Sequence, residues 1–101
     1  MPPLAFTFDG IKIYIYNEDH LPIHIHAEKA EYESIFQLII DNNKLVGIEV
    51  REAGNSNKEL PEKDTKKVKK FLKKYWKDVV EKWEKIVVFK TKITVKRISG
   101  L

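Results

Sequence analysis

Cysteine is absent from this 101-residue chain, and glycine, proline and methionine are scarce, at four, four and one residues. Without cysteine there is neither a disulfide nor a thiolate metal site, so any metal ion must be held by nitrogen and oxygen ligands. No apolar run approaches the roughly 18 residues that a membrane-spanning helix needs. The N-terminal residues also lack the basic-then-apolar pattern of a signal peptide. These absences favour a soluble cytoplasmic protein.

Charge is divided unevenly along the chain. Residues 1–57 hold nine acidic and four basic side chains, a net charge of −5, whereas residues 58–101 hold six acidic and fifteen basic ones, a net charge of +9. This split favours self-association or a charged partner, although a solvated helix face would give the same count. The length and the 43% hydrophobic content fit one domain, residues 1–101, with a flexible loop near residues 53–59 and an extended basic tail at residues 90–101.

Short segments with alternating or β-branched residues predict strands. Turn-forming segments such as Asp9-Gly10 and Asp41-Asn42-Asn43-Lys44 separate them. The predicted strands cover residues 5–8, 11–16, 23–27, 32–40 and 45–51. Residues 86–98 are also rich in β-branched side chains, and we expect them to form a strand or an extended tail.

A long amphipathic helix is predicted after these strands. Its apolar positions recur at spacings of three, four, seven and eight, and lysines fill the opposite side. We expect the helix to begin with Pro61 as its first residue or with Asp64 as its cap. The apolar stripe consists of Val68, Phe71, Leu72, Tyr75, Trp76, Val79, Val80 and Trp83.

Together these elements predict an α+β fold: a mostly antiparallel sheet of four to five strands, packed on one face by a single long amphipathic helix. Because side chains alternate along a strand, we expect the helix to cover the face that carries Ile13 and Ile25. The opposite face would then be accessible to water. That face would carry Tyr14, Tyr16, His24, His26 and Glu28.

All three histidines of the chain fall within seven residues, in the segment His20-Leu21-Pro22-Ile23-His24-Ile25-His26. If this segment enters a strand, His24 and His26 share one face and His20 stands on the preceding turn. Imidazole groups placed in this way are candidate catalytic groups, with Tyr14 and Tyr16 supporting them. The same three histidines are also candidate metal ligands.

The residues alone leave three uses of the histidines open, and with them the question of whether the protein is an enzyme. A zinc site would take His24 and His26 as ligands, together with His20 or with a carboxylate in its place. A metal-independent ribonuclease would use His24 and His26 as a general acid–base pair. In the third interpretation the histidines only pack and form hydrogen bonds in a structural interaction domain. The carboxylates considered as ligands are Glu28, Glu31 and Glu33.

The lysines of the predicted helix and of the tail form a candidate surface for an anionic partner. A series of positive charges along one helix face suits the phosphate backbone of RNA. The chain has no RNA-recognition or helix-turn-helix signature, however, so base-specific contacts are not indicated. The helix lysines are Lys66, Lys67, Lys69, Lys70, Lys73, Lys74 and Lys77, and those of the tail are Lys90, Lys92 and Lys96.

The histidine segment resembles a small prokaryotic family known as domain of unknown function 4160. The signature of that family is a strand, a polar turn and then His-x-Pro-x-His-x-His, which His20, Pro22, His24 and His26 match. Many members have a second proline where this chain has Ile23. The later helix is similar as well, so the resemblance covers most of the chain.

The resemblance implies a small cytosolic protein of bacteria or archaea. Members often stand beside a second small protein, of the family called domain of unknown function 2442, and this arrangement implies a toxin–antitoxin pair. No established catalytic residues carry over from the family. We therefore interpret the chain as a toxin-like cytoplasmic module that binds the neighbouring protein, and RNA as well, through its histidine-rich face.

Overall fold

The computed structural model of this protein describes residues 3–54 and 58–100. Within these residues it contains six strands and one long helix, which confirms the predicted α+β class with one strand more than expected. The strands are β1 (Leu4–Phe8), β2 (Ile11–Tyr14), β3 (His24–Lys29), β4 (Tyr32–Asp41), β5 (Lys44–Glu52) and β6 (Lys96–Arg97), and the helix α1 spans Glu62–Trp83.

The strands form one sheet in the order β5-β4-β3-β2-β1-β6. Neighbouring strands are antiparallel except for β6, which runs parallel to β1. Two of the hairpin turns are Asp9-Gly10, with φ of 50° and 75°, and Asn42-Asn43, with φ of 49° and 65°. Positive φ at both residues defines the type I′ turn, whose twist matches that of paired strands. The turn residues of the sequence therefore fix where the hairpins reverse.

The core lies between α1 and one face of the sheet. Phe71 of α1 has no exposed surface, and its ring centroid lies 5.0 Å from that of Phe6 and 4.7 Å from that of Phe8. Ile13 and Ile25 are fully buried on the same face, as the alternation of the strands predicts. The other face, opposite α1, is called the open face below.

Helix α1 begins at Glu62, one residue after the predicted start at Pro61 and three residues before the start that an Asp64 cap would give. Pro61 precedes the first helical residue, and its carbonyl accepts hydrogen bonds from the N–H groups of Asp64 and Thr65 at 3.0 and 2.9 Å. Asp64 is therefore not the cap but lies in the first turn, where its carboxylate contacts Lys29 Nζ of β3 at 3.1 Å. No helix in the described parts of the chain is long and apolar enough to cross a membrane.

The segment after α1 differs from the predicted strand or extended tail. Glu84–Val88 continue the helix as a π-helical turn, in which Ile86 is buried against the core. Packing of this kind commonly outweighs the β propensity of branched residues, which depends strongly on context. The chain then returns to the sheet, where Lys96 and Arg97 pair with Phe6 and Thr7 of β1.

The predicted flexible loop near residues 53–59 lies partly outside the described residues, because residues 55–57 are not among them. Beyond that gap the chain rejoins the sheet. Lys58 forms a parallel bridge with Tyr32, and its carbonyl accepts a hydrogen bond of 2.7 Å from the N–H of Glu33.

Candidate functional site

His24 and His26 lie on the open face of β3, on the same side of the strand. His26 stands directly opposite Tyr14 of β2 and Ile35 of β4, and His24 opposite Gln37 of β4. This confirms that the two histidines share the face opposite α1. The expectation of a water-accessible patch is wrong, however, because each histidine is only 8% exposed.

The loop between β2 and β3 covers the two imidazole rings. Tyr16 stacks on His26, with ring centroids 4.0 Å apart. Asp19 closes the loop, since its Oδ2 accepts a hydrogen bond of 3.1 Å from the Tyr16 N–H and its own N–H donates to the Tyr16 carbonyl at 3.1 Å. Burial raises the pKa of the Tyr16 hydroxyl, and Glu33 adds to that effect. Tyr16 therefore acts as a neutral ring over His26 at pH 7.

The tautomers of both imidazoles follow from their hydrogen bonds. His24 Nδ1 lies 2.8 Å from the carbonyl oxygen of Pro22, and His26 Nδ1 lies 3.3 Å from Oε2 of Glu33. A carbonyl or carboxylate oxygen only accepts, so each Nδ1 must carry the proton and donate it. In a neutral imidazole the remaining nitrogen, Nε2, then bears a lone pair.

The carboxylate of Asp19 lies close to both rings. His24 Nε2 lies 3.3 Å from Asp19 Oδ1, and Asp19, His24 and His26 each offer a ligand atom such that all three atoms lie within 4.8 Å of one another. Burial lowers the pKa of His26, although Asp19 and Glu33 oppose that change. The site is therefore a group of acceptor atoms that a proton or a metal cation between them would stabilise.

Glu33 supports the site from behind. Its side chain is 6% exposed, and its carboxylate orients the His26 ring through Nδ1. A carboxylate bound to the far nitrogen of an imidazole is the usual second partner of a metal-binding histidine. Of the three carboxylates predicted as candidate ligands, Glu33 thus lies behind His26 and supports it, while Glu28 is half-buried on the open face and Glu31 is exposed.

His20 does not join this group. It is exposed, and its Nδ1 donates to the carbonyl of Leu21 at 3.0 Å. Asp19, the preceding residue, lies beside His24 and His26, where the sequence predicts His20. The Asp19 side chain is held by the hydrogen bond that it accepts from the backbone three residues earlier, a local pattern that Asp side chains form, and no periodicity in the sequence points to it.

The fold and the site define a class: a small α+β protein in which a loop carboxylate lies beside two buried imidazoles of the sheet. The family model described as a domain of unknown function, DUF4160, matches residues 10–84, and these residues include the whole cluster. Because the match covers most of the chain, the protein belongs to this family, which confirms the predicted resemblance. Comparison with curated proteins and with solved structures finds no match.

Proposed function

We propose that this protein is a metal-binding module in which Asp19, His24 and His26 hold one divalent transition-metal ion. The observation that supports it is that one ligand atom each from Asp19, His24 and His26 lie within 4.8 Å of one another, with each Nδ1 already engaged by another acceptor. Ligand atoms at about 2.0–2.1 Å from a tetrahedral zinc ion stand about 3.3–3.4 Å apart. The 3.3 Å between His24 Nε2 and Asp19 Oδ1 has this value.

The donor set favours zinc or a similar ion over calcium or magnesium. Imidazole nitrogen suits zinc, copper, iron and nickel, whereas calcium and magnesium prefer all-oxygen sites. Three protein ligands leave one position of a tetrahedral ion open, which is the arrangement of catalytic zinc sites, since structural sites use four ligands. An ion held here would be able to bind a water molecule or a substrate oxygen.

Burial favours this function over the metal-independent ribonuclease. A general acid–base pair must reach the protons of its substrate within hydrogen-bonding distance. His24 and His26 are each 8% exposed, and their Nδ1 atoms are engaged by Pro22 and Glu33. A polymeric substrate would have to displace the loop that carries Tyr16, whereas a metal ion needs only the space between the three side chains.

Equilibrium titration of untagged protein with zinc, against a chromophoric chelator, tests the proposal. We expect one ion per chain. Loss of an outer-sphere partner costs about 10–100-fold in metal affinity, so loss of a direct ligand in Asp19→Asn, His24→Gln or His26→Gln should cost more than about 100-fold. His20→Gln is the matched control and should bind zinc as the original protein does. Equal affinities in all four variants would remove the proposal.

A second candidate function is binding of an anionic partner by the outer face of α1. Lys70, Lys73 and Lys77 are exposed on this face, and none of them forms an ion pair with any residue in the described ranges. Unpaired positive charge along a helix supports electrostatic steering of a negatively charged partner. We propose that the protein is a toxin-like cytoplasmic module whose partner is the small protein encoded beside it.

Co-expression with the neighbouring gene tests this second function. We expect growth inhibition by the protein alone, relief by its neighbour, and a complex that weakens as salt increases. Charge reversal of Lys70, Lys73 and Lys77 to Glu should break the complex, whereas the same change at the exposed lysines 12, 44 and 58 should not. Absence of both the growth effect and the complex would contradict the proposal, and binding of RNA instead would identify a nucleic-acid partner.

A further inference from the structure

Strand β5 forms one edge of the sheet and has nine residues, Lys44–Glu52, whereas the strand at the opposite edge, β6, has two. Natural proteins commonly keep edge strands short or covered, because the unpaired N–H and C=O groups of a long edge invite another strand. In the part of the chain that the structure describes, no strand pairs with the outer side of β5. The β5 edge is therefore a candidate interaction surface.

A β-bulge limits the part of β5 that another strand can join. The register of the β4–β5 pair shifts between Ile39 and Ile40, where Val46 of β5 is the extra residue. Such a bulge bends the strand and protects the edge near it. From Gly47 to Glu52, by contrast, each residue stands opposite a residue of β4 in regular register. The regular edge accordingly consists of residues 47–52.

The side chains of this regular edge alternate between an apolar and a charged face. Val50 stands opposite the buried Phe36 of β4, so it lies on the side of α1, yet it is 37% exposed. Its neighbours Glu49 and Arg51 lie on the open face, because successive side chains of a strand point to opposite sides. Both are exposed, and neither forms an ion pair within residues 3–54 and 58–100. The edge thus carries an unpaired acid and an unpaired base on either side of an exposed apolar residue.

We infer that β5 pairs with β5 of a second copy of this chain, antiparallel and centred on Val50. The segment Glu49-Val50-Arg51 is its own complement when the direction is reversed, so a two-fold axis at Val50 places Glu49 of each copy opposite Arg51 of the other. Opposite residues of antiparallel strands have Cβ atoms about 4.5–5.5 Å apart, a distance that an ion pair spans. One strand therefore supplies both members of two identical ion pairs, as an interface with two-fold symmetry requires. This self-complementarity favours a second copy over an unrelated strand.

The dimer would join the two sheets into one continuous sheet. A single pair of strands makes a small interface, and small interfaces are typical of weak complexes, so we expect reversible association. The candidate metal site lies on β3 and on the loop before it, away from this edge. The dimer therefore forms with or without a metal ion, and the two proposals stand or fall separately.

Sedimentation equilibrium of the full-length protein, in the presence of a metal chelator, tests the inference. We expect a monomer–dimer equilibrium. Glu49→Arg places two arginines opposite each other at both ion pairs, and Arg51→Glu places two glutamates there, so each variant should dimerise at least about tenfold more weakly. Glu31→Arg is the matched control, since it makes the same change at an exposed turn, and it should dimerise as the original protein does. Circular dichroism checks that all variants are folded.

A mixture of the two weakened variants tests the register itself. Equal amounts of Glu49→Arg and Arg51→Glu again bring opposite charges together at both ion pairs, so the mixture should form a one-to-one heterodimer. The double variant Glu49→Arg/Arg51→Glu should likewise dimerise with itself. A chain that stays monomeric at every concentration, a dimer that neither single variant weakens, or a mixture that stays monomeric would overturn the inference. A loss of the dimer in Glu31→Arg as large as in Glu49→Arg would overturn it too, because net charge and not the β5 edge would then control association.

Discussion

Zinc should raise the thermal stability of this protein by an amount that reports one bound ion. The cluster of Asp19, His24 and His26 provides a single site, so the free energy of unfolding should rise by RT ln(1 + [Zn]/Kd), or about 2.7 kcal/mol at a free zinc concentration of 100 Kd. For a domain of this size 1 kcal/mol shifts Tm by about 4–8 °C, so the expected increase is about 10–20 °C. Each further tenfold in zinc should add about 1.4 kcal/mol.

Differential scanning calorimetry at a series of buffered zinc concentrations measures this effect. Asp19→Asn should remove most of the increase, because one of the three ligands is lost, whereas His20→Gln should retain it. Magnesium at the same concentrations should produce little change, since two of the ligands are imidazoles. An unchanged Tm in zinc, or an equal response of Asp19→Asn and the original protein, would show that these residues hold no ion.

Three further predictions concern the framework that holds the site. Phe71→Ala should lower the free energy of unfolding by about 3–5 kcal/mol in urea denaturation, because Phe71 is fully buried against Phe6 and Phe8; a loss below 1 kcal/mol would contradict the packing. Ser34→Ala should cost about 1–3 kcal/mol in the same assay, since Ser34 Oγ accepts the buried N–H of Leu60 at 3.0 Å, and a neutral result would argue against this contact. Gly10→Ala should cost about 1–2 kcal/mol, because φ at Gly10 is 75°, and an unchanged midpoint would contradict the turn geometry.

The local periodicities of the sequence are enough to predict the sheet, the helix and the face of the two histidines. Alternation in β2 and β3 separates buried Ile13 and Ile25 from Tyr14 and His26, and the structure keeps that separation. The buried face of α1 is predictable for the same reason, because Phe71 and the other apolar residues of the helix recur at the helical period. These features are predictable since each depends on residues close in sequence.

The composition of the site was less predictable. Sequence spacing placed His20 with the other histidines, whereas the structure brings Asp19 to them and leaves His20 exposed. Whether Asp19 or His20 lies next to the two histidines depends on how the loop turns at Tyr16 and on the side of the loop to which each side chain points. No periodicity describes such a loop, so the cluster and its burial become visible only in three dimensions.

The secondary structure of the C-terminal segment was also not predictable from local sequence. Residues 84–88 contain Ile86, Val87 and Val88, whose propensities favour a strand. In the structure Ile86 and Val87 pack against the core as a continuation of the helix. The parallel pairing of β6 with β1 joins residues about 90 positions apart, as between Phe6 and Lys96, and no local pattern signals it.

Anomalous X-ray diffraction from crystals of the zinc-loaded protein, recorded at the zinc absorption edge, shows whether Asp19, His24 and His26 hold the ion. We expect one strong anomalous peak per chain, at about 2.0–2.2 Å from an Asp19 carboxylate oxygen and from Nε2 of His24 and of His26. A peak at His20 without those three ligands, or no peak in the loop between β2 and β3, would contradict it.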